Sequence, residues 1–122
     1  MDNKQINIGL FGFGTVGKGL YDVLKKIQPE NVTIVKVCVR NVAKHRAEAP
    51  ELEFTSNADD IFSDTRINFI VELIDDAEAA YGIVKRALQA KIPVVSGNKK
   101  MLARHIQEMI QLQRDNDTAL LY

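Results

Sequence analysis

The sequence predicts an α/β domain in which a doubly wound, mostly parallel sheet carries helices on both faces. Short apolar or β-branched runs alternate with helical patterns along the chain, and turn signals separate them regularly. A glycine-rich segment also follows the first predicted strand. Parallel strands need right-handed crossover connections, so this alternation favours three layers, α/β/α. We therefore expect residues 1–122 to form a single domain.

The first half of the chain begins with a predicted strand at residues 6–11. The period then switches to that of a helix, which Pro29 ends. The apolar positions of this helix are Val16, Leu20, Val23, Leu24 and Ile27. A β-branched strand at 33–39 follows, as expected of a strand covered on both faces. The polar segment 41–48 predicts only a short helical turn, and 53–55 a brief edge strand.

The second half continues the alternation. We predict a short helix at 57–62, a buried strand at 67–74 and an amphipathic helix at 80–88. A short strand at 92–95, another helix at 102–110 and a last strand at 119–122 follow. The predicted order is β-α-β-β-α-β-α-β-α-β. Ligands of such sheets bind beyond the carboxyl ends of the strands. Functional residues should therefore follow Phe11, Val39, Ile74 and Val95.

Composition narrows the classes of partner and compartment. The 16 basic and 16 acidic residues balance, so no overall field attracts nucleic acid or an anionic membrane, and we expect neither as a partner. The single cysteine, Cys38, excludes a disulfide within the chain and is typical of a reducing compartment. No apolar run approaches roughly 18 residues, and no signal-peptide pattern is present. We predict a cytoplasmic protein.

The segment from Gly12 to Gly17 has the pattern G-x-G-x-x-G between a predicted strand and a predicted helix. This context is typical of a Rossmann-type dinucleotide site. Gly12 permits the tight turn, Gly14 lets a diphosphate approach the backbone, and Gly17 lets the helix pack closely. The free N–H groups and dipole of the helix start then face the phosphates. A turn without a ligand is the alternative, whereas a mononucleotide P-loop is excluded because G-x-x-x-x-G-K-[ST] is absent.

The end of the second strand bears on which dinucleotide binds. NAD sites usually place an acid there to bind the adenosine ribose, but this strand ends in Val39-Arg40-Asn41. Arg40 has the planar fork that suits a 2′-phosphate, with Lys44 or Arg46 adding charge nearby. This favours NADP. Arg40 can also stack on adenine or be a solvated loop residue, so NAD remains possible.

Three stretches resemble homoserine dehydrogenases: G-L-F-G-F-G-T-V-G at 9–17, V-E-L-I at 71–74, and P-V-V-S-G-N-K-K at 93–100. In that family the fifth strand runs into an Ala-Asn-Lys turn, which Gly97-Asn98-Lys99 resembles. The resemblance spans nearly the whole chain. It implies reversible, NAD(P)-dependent oxidation of L-homoserine to L-aspartate 4-semialdehyde, a step of threonine and methionine biosynthesis.

The resemblance also implies site residues. It places Gly14, Thr15 and Val16 at the cofactor diphosphate, Arg40 at the 2′-phosphate and Lys99 at the nicotinamide. Phe13 and Ser96 complete the predicted cofactor contacts. Lys99 is also the candidate catalytic residue, because a lysine partly desolvated beside a cationic nicotinamide can accept the proton of an alcohol. The alternative is that Lys99 simply begins a solvated helix.

Two departures from the family accompany this resemblance. Asp75-Asp76 stand where the family usually has Gly-Gly, and their carboxylates would repel a phosphate; D75-D76-A77-E78 has the D-x-x-E spacing of a helix cap. The family's homoserine-binding catalytic domain, with further catalytic residues, is expected downstream and is absent from these 122 residues. We therefore expect the chain alone to be inactive, and the full-length enzyme to form a homo-oligomer.

Other residues support no competing chemistry. Glu72 lies in an apolar strand, where a structural hydrogen bond is the expected role. His45 and His105 belong to no metal-ligand pattern, and we expect both to be solvated. The alternatives for function are a non-catalytic NAD(H)-sensing domain and the cofactor domain of another semialdehyde-type dehydrogenase, which would need a catalytic cysteine after this region.

Overall fold

The computed structural model describes residues 4–122. Its elements are β1 (Ile6–Phe11), α1 (Thr15–Ile27), β2 (Val32–Cys38), α2 (Val42–Glu48), β3 (Phe54–Thr55), α3 (Ala58–Phe62), β4 (Phe69–Glu72), α4 (Ala77–Gln89), β5 (Val94–Ser96), α5 (Lys99–Asn116) and β6 (Leu120–Leu121). The six strands form one sheet in the order β3-β2-β1-β4-β5-β6, and every adjacent pair is parallel. The predicted α/β class is confirmed.

β1 lies at the centre of the sheet and sets the position of the edge where a ligand can bind. Its last residue, Phe11, is opposite Cys38 of β2 and Glu72 of β4. The chain moves outward from β1 through β2 to β3, then returns to the other side of β1 and moves outward through β4, β5 and β6. The carboxyl ends of β1 and β4 therefore border the crevice at the point where the direction reverses.

Each face of the sheet is covered by its own apolar cluster. Phe11 and Ile70 belong to the cluster under α3, α4 and α5, whereas their neighbours Leu10 and Val71 belong to the cluster under α1 and α2. Successive residues of a strand point to opposite faces, so one strand contributes to both clusters. This alternation produces the three predicted layers.

Two details differ from the sequence prediction. Residues 42–48 form a seven-residue helix, α2, so the predicted element order lacked one helix. Asn41 starts α2, because its side-chain oxygen accepts a hydrogen bond from the Lys44 N–H at 3.1 Å. The fourth strand is also shorter than the predicted 67–74: Ile67 and Asn68 precede it, and Leu73 and Ile74 follow it and line a cleft.

Among residues 4–122, no helix combines the length and the apolar character needed to cross a membrane.

Candidate functional site

A cleft of about 800 Å³ opens at the carboxyl edge of the sheet. Its walls are the β1–α1 turn, the segment after β2 and the β4–α4 loop, and its size is ordinary for a small-molecule site. The predicted cofactor residues that line it are Gly12, Phe13, Gly14, Thr15, Val16 and Arg40. The other three, Gly17, Ser96 and Lys99, lie outside the lining.

Two glycines allow the backbone of the β1–α1 turn to pack against its surroundings. Gly12 has φ +94°, and a Cβ there would lie 2.6 Å from the carbonyl oxygen of Leu73. A Cβ on Gly17 would lie 2.7 Å from the carbonyl oxygen of Gly12. Such approaches are too short for any side chain, so both glycines are required for the turn and for the close seating of α1.

Gly14 has a different environment. It is the N-cap of α1 in an extended conformation, and no side chain of residues 4–122 caps that helix start with a hydrogen bond. A Cβ on Gly14 would meet no protein atom within 4 Å. The open backbone N–H groups and the positive end of the helix dipole therefore face the cleft, where they form a cradle for an anion. These features fit the diphosphate of a dinucleotide.

Phe13 contributes to the packing of the turn as well as to the cleft. The residue is buried, and its ring lies 5.9 Å from the ring of Tyr21, 5.6 Å from that of His45 and 5.3 Å from that of Phe54. The ring thus belongs to the core under α1 and α2. It fixes the turn that presents the backbone of the glycine-rich segment.

The segment after β2 brings a cation to the cleft. Arg40 is exposed and lines the cleft, whereas Lys44 and Arg46 are absent from its lining. Cys38 also lines it and is half-buried; burial raises the pKa of its thiol. A free guanidinium at this position has the geometry to bind a phosphate bidentately.

The β4–α4 loop brings two carboxylates to the cleft. Asp76, and not Asp75, is the N-cap of α4, because its Oδ1 accepts hydrogen bonds from the N–H groups of Glu78 and Ala79 at 2.9 and 3.2 Å. A cap was predicted, but the D-x-x-E register was wrong by one residue. These N–H groups hold the pKa of Asp76 below its usual value, and the charge of Arg40 adds to the effect.

Ser96 lies in a buried network that holds the β5–α5 junction. Its hydroxyl donates to Glu72 Oε1 at 2.5 Å and accepts from the N–H of Asn98 at 3.2 Å. Asn98 caps α5 by accepting from the Met101 N–H at 2.9 Å. Its amide also donates to the carbonyl oxygens of Ile74 and Asp75, at 2.9 and 3.2 Å. The network therefore ties the β4–α4 loop of the cleft to the start of α5.

Glu72 is the buried carboxylate of this network. Its side chain is completely inaccessible, and its second oxygen accepts from the Ile74 N–H at 2.7 Å. Burial raises the pKa of Glu72, and the hydrogen bonds from Ser96 and Ile74 oppose this rise. The predicted structural hydrogen bond is confirmed. Lys99, the first residue of α5, follows the network and is exposed.

Both histidines were expected to be solvated, and that expectation was wrong. The side chain of His45 is 14% exposed and that of His105 is 23% exposed. His105 stacks on Tyr81 with ring centres 3.9 Å apart, whereas His45 lines the cleft beside Phe13. The sequence carried no signal for His45 beyond its position five residues after Arg40. Within residues 4–122 no cluster of His, Cys, Asp and Glu is suited to a metal ion.

The comparisons with known proteins agree with this architecture. Residues 12–122 match the family model described as "Homoserine dehydrogenase, NAD binding domain". The homoserine dehydrogenase of Lactococcus lactis is 34% identical to this chain over an alignment 127 residues long. The aligned part covers 96% of this chain and 30% of that protein.

Solved structures show the same likeness. A homoserine dehydrogenase from Thiobacillus denitrificans is 32% identical with a TM-score of 0.87, over 98% of this chain and 29% of that one. A homoserine dehydrogenase from S. aureus is 28% identical with a TM-score of 0.88, over 98% of this chain and 32% of that one. The present chain thus spans about a third of the length of the proteins that it matches.

Proposed function

The chain belongs to the homoserine dehydrogenase family, whose NAD-binding domain it matches, and from that premise we propose that its cleft holds the NAD(P) cofactor of such an enzyme. The observation that carries the proposal is the β1–α1 turn. Its backbone leaves the start of α1 open and free of side chains at Gly14. A diphosphate placed there accepts hydrogen bonds from the N–H groups at the positive end of α1. Thr15 and Val16, which also line the cleft, then flank the diphosphate.

We further propose that the site prefers NADP over NAD. Arg40 is the cationic side chain in the cleft lining within residues 4–122, and it lies just after β2, where the adenosine ribose of a dinucleotide is held in such folds. The strand ends without the acid that would bind a free 2′-hydroxyl. A guanidinium there favours the 2′-phosphate of NADP. NAD binds more weakly, through the same diphosphate contacts.

Lys99 is proposed as the catalytic and cofactor-contacting residue of the complete enzyme. It begins α5 at the carboxyl end of β5, where the Ser96–Asn98 hydrogen bonds fix the backbone that precedes it. The bound cofactor supplies the hydride acceptor or donor for interconversion of an alcohol and an aldehyde. In the oxidation the neutral lysine amine would accept the alcohol proton, and in the reduction the lysine ammonium would return it, once the substrate covers the side chain. Ser96 contributes by holding this junction, because its hydroxyl is already bonded to Glu72.

The remaining parts of the proposed enzyme lie in the portion of its relatives that this chain does not match. We propose that a following domain binds L-homoserine or L-aspartate 4-semialdehyde and carries further catalytic groups. It would also assemble the homo-oligomer, and the enzyme would act in the cytoplasm in threonine and methionine biosynthesis. These 122 residues alone should therefore bind cofactor without oxidising homoserine. The test is hydride transfer from homoserine to NADP by the purified chain, followed at the absorbance of NADPH. Such transfer would disprove the proposal that essential catalytic groups lie in another domain.

The decisive binding test is Gly14→Ala. The added methyl group meets no protein atom within 4 Å, so the variant folds, but the methyl occupies the place of the diphosphate. We expect calorimetry to show at least about a tenfold loss of affinity for NADP and for NAD. Gly82→Ala is the matched control, because a Cβ at Gly82 in α4 also meets no atom within 4 Å. Equal affinities for the two variants would refute the diphosphate site.

The proposed NADP preference is tested by Arg40→Gln. Gln retains polarity and much of the length of the side chain but removes the charge and the bidentate fork. We expect a loss of about tenfold or more in affinity for NADP and less than twofold for NAD. Loss of both affinities to the same extent would indicate stacking on adenine, which both cofactors share. No loss for NADP would remove the phosphate assignment.

A further inference from the structure

His45 occupies a position that the fold alone does not explain. It lies on α2, five residues after Arg40, and both residues line the cleft. Its imidazole packs edge-on against Phe13, with an interplanar angle of 85°, and stacks on Phe54 at 26°. An apolar ring would fill the same space between these two side chains. The nitrogens of the ring therefore need a separate explanation.

The two ring nitrogens have different surroundings. Nδ1 is fully covered and makes no hydrogen bond with the residues that the structure describes. It lies 3.4 Å from Glu48 Oε1. Nε2 is not among the fully covered nitrogens without a partner, and 14% of the side chain is exposed. His45 belongs to the lining of the cleft.

We propose that His45 binds the adenosine end of the dinucleotide, with Nε2–H donating a hydrogen bond to the 2′-phosphate that Arg40 also contacts. The inference deepens the proposed function and rests on it. Phe13 and Phe54 hold the ring in one orientation, so little side-chain freedom is lost when the ligand binds. The imidazole thereby adds a second donor to a phosphate site that has one guanidinium.

The charges around His45 support such a role. Glu48, on the same helix, lies beside Nδ1. Lys18 of α1 pairs with Glu48, which partly offsets that carboxylate, and the cation Arg40 lines the same cleft. Phe13 and Phe54, which pack against the ring, carry no charge.

The experiment compares His45→Gln with His105→Gln by calorimetry, with NADP and NAD as the titrants. His105 is the matched control, since it is also a largely covered histidine but stacks on Tyr81 outside the cleft. For His45→Gln we expect affinity for NADP to fall about tenfold and affinity for NAD to change less than twofold. His105→Gln should change neither affinity.

A second variant, His45→Phe, keeps the aromatic packing but removes both nitrogens. It should show the same selective loss of NADP affinity, with a melting temperature close to that of the wild type.

The outcomes separate this inference from the function on which it rests. Unchanged NADP affinity in His45→Phe, or equal losses for NADP and NAD, would overturn the phosphate contact while leaving the dinucleotide site intact. A wild-type chain that binds neither cofactor would overturn both.

Discussion

The β1–α1 and β5–α5 junctions lie at the same edge of the sheet but are built in opposite ways. In the first, Gly12 and Gly17 let backbone pack on backbone, and no side chain caps α1. In the second, Glu72, Ser96 and Asn98 bond to one another, and Asn98 caps α5. The first junction leaves polar backbone open, whereas the second satisfies it internally.

The difference shows how one sheet edge serves two requirements. A diphosphate needs free N–H groups that it can approach closely, and a side chain would either block them or bond to them. The loop beside it needs a fixed position, which buried hydrogen bonds between side chains and carbonyls provide. Substitutions should therefore act through steric strain at the first junction and through lost or reversed hydrogen bonds at the second.

The largest effect is expected for Gly12→Ala, at the glycine junction. The variant combines φ +94° with a Cβ 2.6 Å from the Leu73 carbonyl oxygen. We expect the free energy of unfolding to fall by about 3 kcal/mol, because strain and overpacking add. Urea denaturation measures this loss. A cost similar to that of Gly14→Ala, whose Cβ meets open space, would show that the turn tolerates side chains throughout.

A smaller effect is expected for Asn98→Asp, at the polar junction. The carboxylate keeps the cap of α5 but points an oxygen, in place of the amide donor, at the carbonyl oxygens of Ile74 and Asp75. We expect the free energy of unfolding to fall by about 2 kcal/mol at neutral pH.

The matched control for Asn98→Asp is Asn41→Asp, at the N-cap of α2, which is exposed and bonds only through its oxygen in the described structure. Asp and Asn are equivalent caps, so stability should stay within about 0.5 kcal/mol of wild type. If both variants lose the same stability, then the amide donors of Asn98 do not hold the loop.

The smallest effect, and the one that depends on pH, is expected for Glu72→Gln. The Gln carbonyl can accept from the Ile74 N–H, and its amide can donate to Ser96, so the network survives without charge. Burial raises the pKa of Glu72 in the folded chain. The folded state therefore binds the proton more tightly than the unfolded state, and wild-type stability falls as pH rises through the folded-state pKa.

Glu72→Gln should consequently match the wild type near pH 4 and exceed it by about 1 kcal/mol near pH 8, as measured by urea denaturation at each pH. Glu30→Gln, at an exposed glutamate, controls for the loss of one acidic residue. If the wild type were instead more stable than Glu72→Gln by an amount that grows with pH, the pKa of Glu72 would be lowered on folding. That result would contradict the role of burial proposed for Glu72.

Sequence reasoning succeeded where the local pattern alone decides the structure. The helices with apolar stripes, the short strands and the glycine turn were predicted because each has a periodicity or a turn signal of its own. The helix α2 was not placed in the element order, because its segment is polar and its start depends on the Asn41 cap. Local pattern also extended the fourth strand too far, since Leu73 and Ile74 are apolar yet serve the cleft.

The rest depends on contacts between segments far apart in the chain. Asp75 and Asp76 are equally good N-caps by residue type, so the sequence does not decide between them. In the structure Asp76 caps α4, and Asn98 donates hydrogen bonds to the loop that precedes it. His45 is covered by Phe13, which belongs to the β1–α1 turn, and by Phe54, which belongs to β3. No spacing in the sequence reports such packing. The cofactor roles of Ser96 and Lys99 stay predictions, since neither lines the cleft.

The central position of β1 also constrains how the protein is made. β1 leaves the ribosome before both of its neighbours in the sheet, β2 and β4, and Ile8 is opposite Phe69 of β4. At roughly 5–20 residues per second, translation from one to the other takes about 3–12 s. During that interval one edge of an apolar strand has no partner, which makes the nascent chain a substrate for chaperones until β4 emerges.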